Sequence, residues 1–333
     1  MSENNTYQGM FAELLGAFIE EKRSLGYRYK EEERLSFIFD RLSLGYDCSD
    51  GLTAELANAF IECQPNWQAT TQRRRISFIQ NFGAYLLKHD IHAFRAGVTA
   101  MRSMQSFKPY IFSHTEMDQF FDMADNIRPN CRNSHIFYPV LFRVLYGTGI
   151  RISEALFLTM DDVNLKEQTF RIINPKNHKD RILPISDSIA EYCRWYQAKI
   201  HPFYHKDDLF FKSNRGTGCY HRNNIQVFFS RMIADAGIPT RGFKGGGPHL
   251  HCLRHTFCVH SLEKMIRKGV PHGAALQLLC TYMGHQSLSA TGRYLQLTAE
   301  AFPDLMEKIE EATKDIFPVI APLEEVRMPY EEE

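Results

Sequence analysis

The chain of 333 residues has little tryptophan (2 residues), no net charge (39 Lys+Arg against 39 Asp+Glu) and no long apolar run. A membrane-spanning helix needs roughly 18–20 consecutive apolar residues, and none of that length is present. The N-terminal MSENNTYQGM is polar and lacks the basic start and apolar centre of a secretory leader. These absences lead to the expectation of a soluble, cytoplasmic protein with no membrane partner. The eight cysteines (48, 63, 131, 193, 219, 252, 258 and 280) are scattered and form no CxxC, so reduced thiols are expected rather than a disulfide framework. There is no internal repeat and no low-complexity tract. Hydrophobic residues make up 44% of the chain, with 25 Phe and 15 Tyr, which excludes disordered, collagenous and fibrous classes. The length suits two domains.

Charge is unevenly placed. Residues 1–105 carry a net −1, residues 106–316 a net +5, and residues 317–333 a net −4. The middle segment is therefore the part suited to a polyanion, and the acids are set apart in a tail (FPVIAPLEEVRMPYEEE). Apolar spacing predicts helices over 7–25, 30–44, 53–63 and 69–88, so the first hundred residues read as all-helical. The stretch 104–113, with Pro109, breaks the pattern and suits a linker over 106–112. Beyond it, helices are expected over 114–125, 134–146, 187–200, 221–236, 252–268, 272–283 and 298–314. QTFRIIN and RILPI, around a polar turn within 168–185, predict a small hairpin. The expected architecture is mainly α: an N-terminal four-helix domain (1–105), a mostly helical domain with a small antiparallel sheet (113–316), and an acidic tail (317–333).

Four islands carry possible chemistry. In Gly147–Leu156 (GTGIRISEAL), a glycine turn puts Arg151 at the opening of a helix, where a guanidinium and backbone N–H groups together favour an anion. In 174–181 (NPKNHKDR), Lys176 sits in the hairpin turn, which can deliver an ammonium into a cleft. In 249–257 (HLHCLRHTF), His251 and Arg254 are three residues apart and share a helix face. The crowding of His249, His251, Cys252, His255, Cys258 and His260 permits a zinc reading, but no established ligand spacing accompanies it. In 282–294 (YMGHQSLSATGRY), Gly284 ends a helix, His285 follows, and Tyr294 comes nine residues later at the start of a short helix. A phenol with a reference pKa near 10 needs activation to serve as a nucleophile. Taken singly, each island reads as ordinary structure.

Their order does not. Arg, Lys, His-x-x-Arg, His and Tyr, in TGIRISEALFL, NPKNHKDRILPI, HCLRHTF and MGHQSLSATGRYLQ, resemble the motif series of the tyrosine recombinase or phage integrase family, which includes the Xer-type recombinases. The glycine-rich GFKGGGP ahead of the His-x-x-Arg motif suits a loop feeding that helix. The resemblance spans roughly 110–315. It implies site-specific recombination of double-stranded DNA by two transesterifications, with a 3′-phosphotyrosyl intermediate and Tyr294 as nucleophile. It further implies that Arg151 and Arg254 hold the scissile phosphate and that Lys176 is the general acid. His251 would assist proton removal and His285 would hydrogen-bond the phosphate. No metal or other cofactor is implied. The hairpin lacks the glycines that flank the Lys in many members, which leaves Lys179 as the rival to Lys176; Lys176 is favoured. The resemblance also implies a DNA-clasping N-terminal domain and a homotetramer on two duplexes. Arg73, Arg74 and Arg75, at the start of the fourth helix, are the candidates for DNA contact, although three successive residues cannot share one face. The tail either docks on a neighbour or serves as a solubilising end. The rival readings are a catalytically silent DNA-binding regulator and a type IB topoisomerase-like relaxer.

Overall fold

The computed structural model describes residues 6–62, 67, 69–95, 108–129, 133–173, 180–213, 218–240, 247–285 and 288–305. Lys176, Lys179, the glycines at 242–246 and the tail 317–333 lie outside these. The chain divides into two compact units, 1–106 and 107–333.

The first unit holds α1 (Ala12–Ser24), α2 (Lys30–Ser43), α3 (Ala54–Ile61) and α4 (Ala69–Lys88). The first helix starts later than the apolar spacing suggests. Residues 8 and 9 stay outside it because their N–H groups donate to the buried Asp40 carboxylate at 2.7 and 2.9 Å. Thr53 caps α3 by accepting the N–H of Leu56. The inward face of α4 is Ile76, Phe78, Ile79 and Phe82, all buried. These meet Phe18, Phe39 and Phe60 in an aromatic core, with Phe39 and Phe60 edge-to-face at 5.3 Å.

The three arginines of α4 separate. Arg73 and Arg74 are exposed. Arg75 turns inward, which corrects its reading as a DNA contact. Its guanidinium lies 4.5 Å from the Phe60 ring centre and 4.1 Å from that of Trp67. It also donates to the Phe60 carbonyl at 2.9 Å. Arg75 thus ties α4 to the end of α3. Arg75→Ala is expected to cost about 1–3 kcal/mol of stability, the sum of one hydrogen bond and two cation–π contacts. Chemical denaturation measures this; an unchanged midpoint would show that the guanidinium holds nothing together.

The second unit holds α5 (His114–Asp125), α6 (Ser134–Thr148), α7 (Ile152–Leu156), β1 (Val163–Asn164), β2 (Thr169–Ile172), β3 (Arg181–Pro184), α8 (Asp187–Ile200), α9 (Arg222–Asp235), α10 (Cys252–Arg267), α11 (His272–Met283) and α12 (Leu288–Ala301). A capping box of Ser113 and Glu116 starts α5. Phe112, just ahead of it, is buried and donates its N–H to Thr256 Oγ1 at 3.1 Å, so this part of the expected linker packs into the second unit. The sheet is antiparallel in the order β1-β2-β3, with Phe170 opposite Leu183. The third strand, β1, is only two residues long and goes beyond the expected hairpin. The helix α6 is buried on most sides and packs against α5, α8 and α10. In turn, α10 packs against α6, α11 and α12.

The largest departure is α12. In place of a helix beginning at 298, with Tyr294 at the start of a short one, a helix runs from Leu288 to Ala301 with Tyr294 in its middle, and 303–305 are helical again; 306–314 lie outside the described residues. Gly292 weakens the local helical signal by about 1 kcal/mol, and packing against Cys258, Val259 and Leu262 of α10 outweighs it. The helix breaks at Phe302, and Pro303, which has no N–H to continue it, opens the next helical turn. Among the described residues no helix is long and apolar enough to cross a membrane.

Candidate active site

Arg151 is placed by a glycine. Gly149 ends α6 in the left-handed region (φ 62°), and a Cβ there would sit 2.3 Å from the Phe257 ring. Glycine is therefore required both for the backbone and for the contact with α10. Two residues on, Arg151 is the N-cap of α7. Its backbone N–H donates to Glu154 Oε2 at 3.0 Å and its Nη1 to Glu154 Oε1 at 2.7 Å. Arg181 of β3 donates to the same carboxylate from Nη2 at 2.8 Å and from Nη1 at 3.3 Å. Burial works to raise the Glu154 pKa, but the hydrogen bonds from Arg181 and Arg151 overcome it and hold this carboxyl below the usual range.

On α10 and its N-cap, residues 251, 254, 255 and 258 fall on one face. Arg254 is only 3% exposed. Its Nη1 donates to the Gly149 carbonyl at 2.6 Å, and its Nη2 approaches the Met283 carbonyl at 3.3 Å and His285 Nε2 at 3.1 Å. Burial lowers its pKa to about 10, still charged at neutral pH. Gly284, again left-handed (φ 65°), ends α11 and delivers His285. Since His285 Nε2 faces an arginine donor, it must be the accepting nitrogen. Nδ1 then carries the proton and donates to the buried Thr291 Oγ1 at 2.8 Å. Burial, with Arg254 and Arg151 adding to it, brings the His285 pKa down to about 4, which keeps this ring neutral. His251 keeps an exposed edge at the start of α10. The protein around it, then Arg254 and His249, lower it to about 4 as well.

Tyr294 is 1% exposed. Its Oη lies 2.9 Å from His255 Nδ1, and its ring is parallel to that of His285 (9°, centroids 6.4 Å apart). Burial raises the phenol above its ordinary value and Cys258 adds to the rise, while Arg293 and Arg254 oppose it. His255 is held to about 3 by burial, with His251 and Arg293 contributing. It is thus a neutral partner of the phenol. The His251 ring stands edge-on to that of His255 at 4.8 Å. Among the described residues no group of three or more His, Cys, Asp or Glu side chains is arranged to hold a metal ion.

The model of the phage integrase family matches residues 111–301, more than half of the chain. The chain belongs to the phage integrase family. Curated relatives include the tyrosine recombinase XerC of Listeria welshimeri, 28% identical over 244 residues (71% of this chain, 74% of the relative). Another is the tyrosine recombinase XerD of Oceanobacillus iheyensis, 26% identical over 246 residues (71% and 74%). The fold is similar to that of the Tn1549 transposon integrase solved with transposon right-end DNA, with a TM-score of 0.66 at 15% identity, covering 90% of this chain and 99% of that one. The molecule is a tyrosine-type site-specific recombinase.

Of the six residues expected to carry the chemistry, five, Arg151, His251, Arg254, His285 and Tyr294, gather where α7, α10, α11 and α12 meet. Lys176 and its rival Lys179 lie outside the described residues. Three participants were missed. Glu154 had a signal, the acid three residues after an N-cap. His255 had one too, at i+4 from His251 on the shared face. Arg181 had only its place in the hairpin.

Proposed function

We propose that this recombinase cuts and rejoins duplex DNA with Tyr294 as the nucleophile. Arg151 and Arg254 hold the non-bridging oxygens of the scissile phosphate, whose added negative charge in the transition state suits forked guanidinium donors. For His285 to hydrogen-bond the same phosphate, its Nε2 gives up the Arg254 contact and takes the ring proton, while the Thr291 hydroxyl turns to donate to Nδ1. The phenol gives its proton to His251 and attacks phosphorus. The bond to the 5′ oxygen breaks, and Lys176 protonates that oxygen. A 5′-hydroxyl then attacks the phosphotyrosine, reverses the bonding and frees the phenol. The bond energy is kept in the covalent adduct, so no high-energy cofactor is consumed. The observation that carries this reading is the contact chain from Arg254 to His285 to the Tyr294 ring. The family, with its XerC and XerD relatives and a neighbour solved on transposon DNA, supports DNA as the substrate. The domain over 113–316 performs the chemistry, and the helical domain over 1–105 clasps DNA with Arg73 and Arg74. Four copies act on two duplexes, in the cytoplasm.

A nicked duplex whose cut strand diffuses away traps the adduct. Mass mapping of the linked peptide is expected to return Tyr294, and a cross-link at any other residue removes the assignment. Relaxation of supercoiled DNA without a specific site would instead indicate a topoisomerase-like relaxer.

The buried phenol adds a step. Tyr294 has to leave its pocket on α10 before it reaches phosphorus, and His255 holds it there. His255→Leu takes away one of the phenol's two partners, leaving the Cys258 thiol, at the cost of about one hydrogen bond, roughly 1–2 kcal/mol. Single-turnover adduct formation is then expected to rise about 5–30-fold, with faster nitration of Tyr294. A fall in adduct formation would show that His255 serves the reaction and not the resting position.

A further inference from the structure

Three guanidinium groups, those of Arg151, Arg181 and Arg254, flank this site; the first two are hydrogen-bonded to one carboxylate, Glu154, while Arg254 is bonded to the Gly149 carbonyl. The first and last are accounted for by the phosphate. Arg181 is not. It stands on β3 opposite Ile172, and its side chain is 12% exposed. Both Nη atoms are engaged by Glu154. Its Nε is buried and has no hydrogen-bond partner among the described residues. A buried N–H without an acceptor is costly and uncommon in folded proteins, and where one persists a missing ligand is the natural completion.

The surroundings say which ligand. The Arg181 side chain lies along Gly284: a Cβ on that glycine would be 3.2 Å from Arg181 Cδ and 3.5 Å from Nε. On the other side of the same turn, Arg254 reaches the Met283 carbonyl and His285. The 283–285 turn is therefore flanked by two guanidinium groups. Two arginines on one carboxylate leave an excess of positive charge, and the third adds to it. An anion with several oxygens fits that excess, and one N–H is kept open for it.

We propose that Arg181 is a third guanidinium donor to the scissile phosphate, its Nε–H meeting a non-bridging oxygen while Glu154 fixes its plane. The proposal rests on the reading that Arg151 and Arg254 hold that phosphate. Glu154 is then a positioning residue for two arginines at once. The arrangement also explains why the turn carries glycine: a side chain at 284 would displace the Arg181 stem.

The test compares two nicked duplexes, one with an ordinary scissile phosphodiester and one with a methylphosphonate there, which removes the non-bridging charge. On the ordinary duplex Arg181→Gln is expected to slow single-turnover cleavage about 10²-fold, the usual effect of losing one such donor. On the methylphosphonate the penalty is expected to shrink to a few-fold. Arg181→Lys, which keeps a charge beside Glu154, guards against loss of the fold and is expected to show a smaller penalty that also shrinks. An equal penalty on both duplexes, or none on either, overturns the proposal and leaves Arg181 as scaffold. Arg254→Gln is the control. If its penalty fails to shrink, the phosphate reading itself has failed; if it shrinks while that of Arg181 does not, only the inference about Arg181 has failed.

Discussion

Tyr294→Phe is expected to abolish the covalent protein–DNA adduct while leaving DNA affinity within about twofold of the parent. A missing nucleophile typically removes at least ~10⁴-fold of rate, because no neighbouring group replaces the covalent route. The substitution isolates the chemistry because of where the ring sits. Tyr294 belongs to the apolar contact between α10 and α12, with Cys258, Val259 and Leu262. A phenylalanine keeps that ring and its stack on His285. The hydroxyl's bonds to His255 Nδ1 and to the Cys258 thiol are lost, at a cost of about 1–2 kcal/mol. Alanine would instead open a cavity worth about 3–5 kcal/mol and confuse misfolding with inactivity. Denaturing gels of the trapped nicked duplex, beside a native gel shift, separate adduct from binding. A Phe variant that still becomes linked to DNA would place the nucleophile elsewhere.

How far such a site can be read from sequence depends on the length of the pattern that encodes each part. The fourth helix was legible to its ends because 20 residues carry one apolar face, Ile76, Phe78, Ile79 and Phe82, and its bounds agree with the expectation. The two-residue strand β1 has no periodicity to read, since it exists only through its pairing with β2. The last helix was misread for a different reason. Its sequence contains Gly292, which weakens the local signal, and its stability comes from α10, more than thirty residues earlier in the chain. Arg75 shows the same limit on a side chain. Three consecutive arginines look alike in sequence, and only the placement of Phe60 and Trp67 decides which one turns inward. The site residues were found by the order of their motifs, whereas the groups that hold them, Glu154, Arg181 and His255, act through contacts across the fold. The burial of Tyr294 is likewise a property of tertiary packing, and no residue spacing announces it.

The other large effect is expected from Arg254→Lys, a change that preserves charge and destroys geometry. Arg254 reaches three acceptors on two segments: the Gly149 carbonyl at the end of α6, the Met283 carbonyl at the end of α11, and His285 Nε2. A planar fork can span these, while an ammonium is a single point on a flexible stem and cannot. Loss of the span frees the 283–285 turn and leaves carbonyls unpaired, for about 1–3 kcal/mol of stability. It also removes the contact that holds the His285 ring in place, so both groups proposed for the phosphate are disturbed by one substitution. Cleavage is therefore expected to fall about 10²–10⁴-fold. DNA binding should change little, because a single phosphate contact carries a small share of the affinity of a protein that neutralises many phosphates. Single-turnover cleavage and chemical denaturation, run on the same preparation, test this. Loss of stability with full cleavage would make Arg254 a strut between α6 and α11 alone, and the guanidinium would have no part in holding the phosphate.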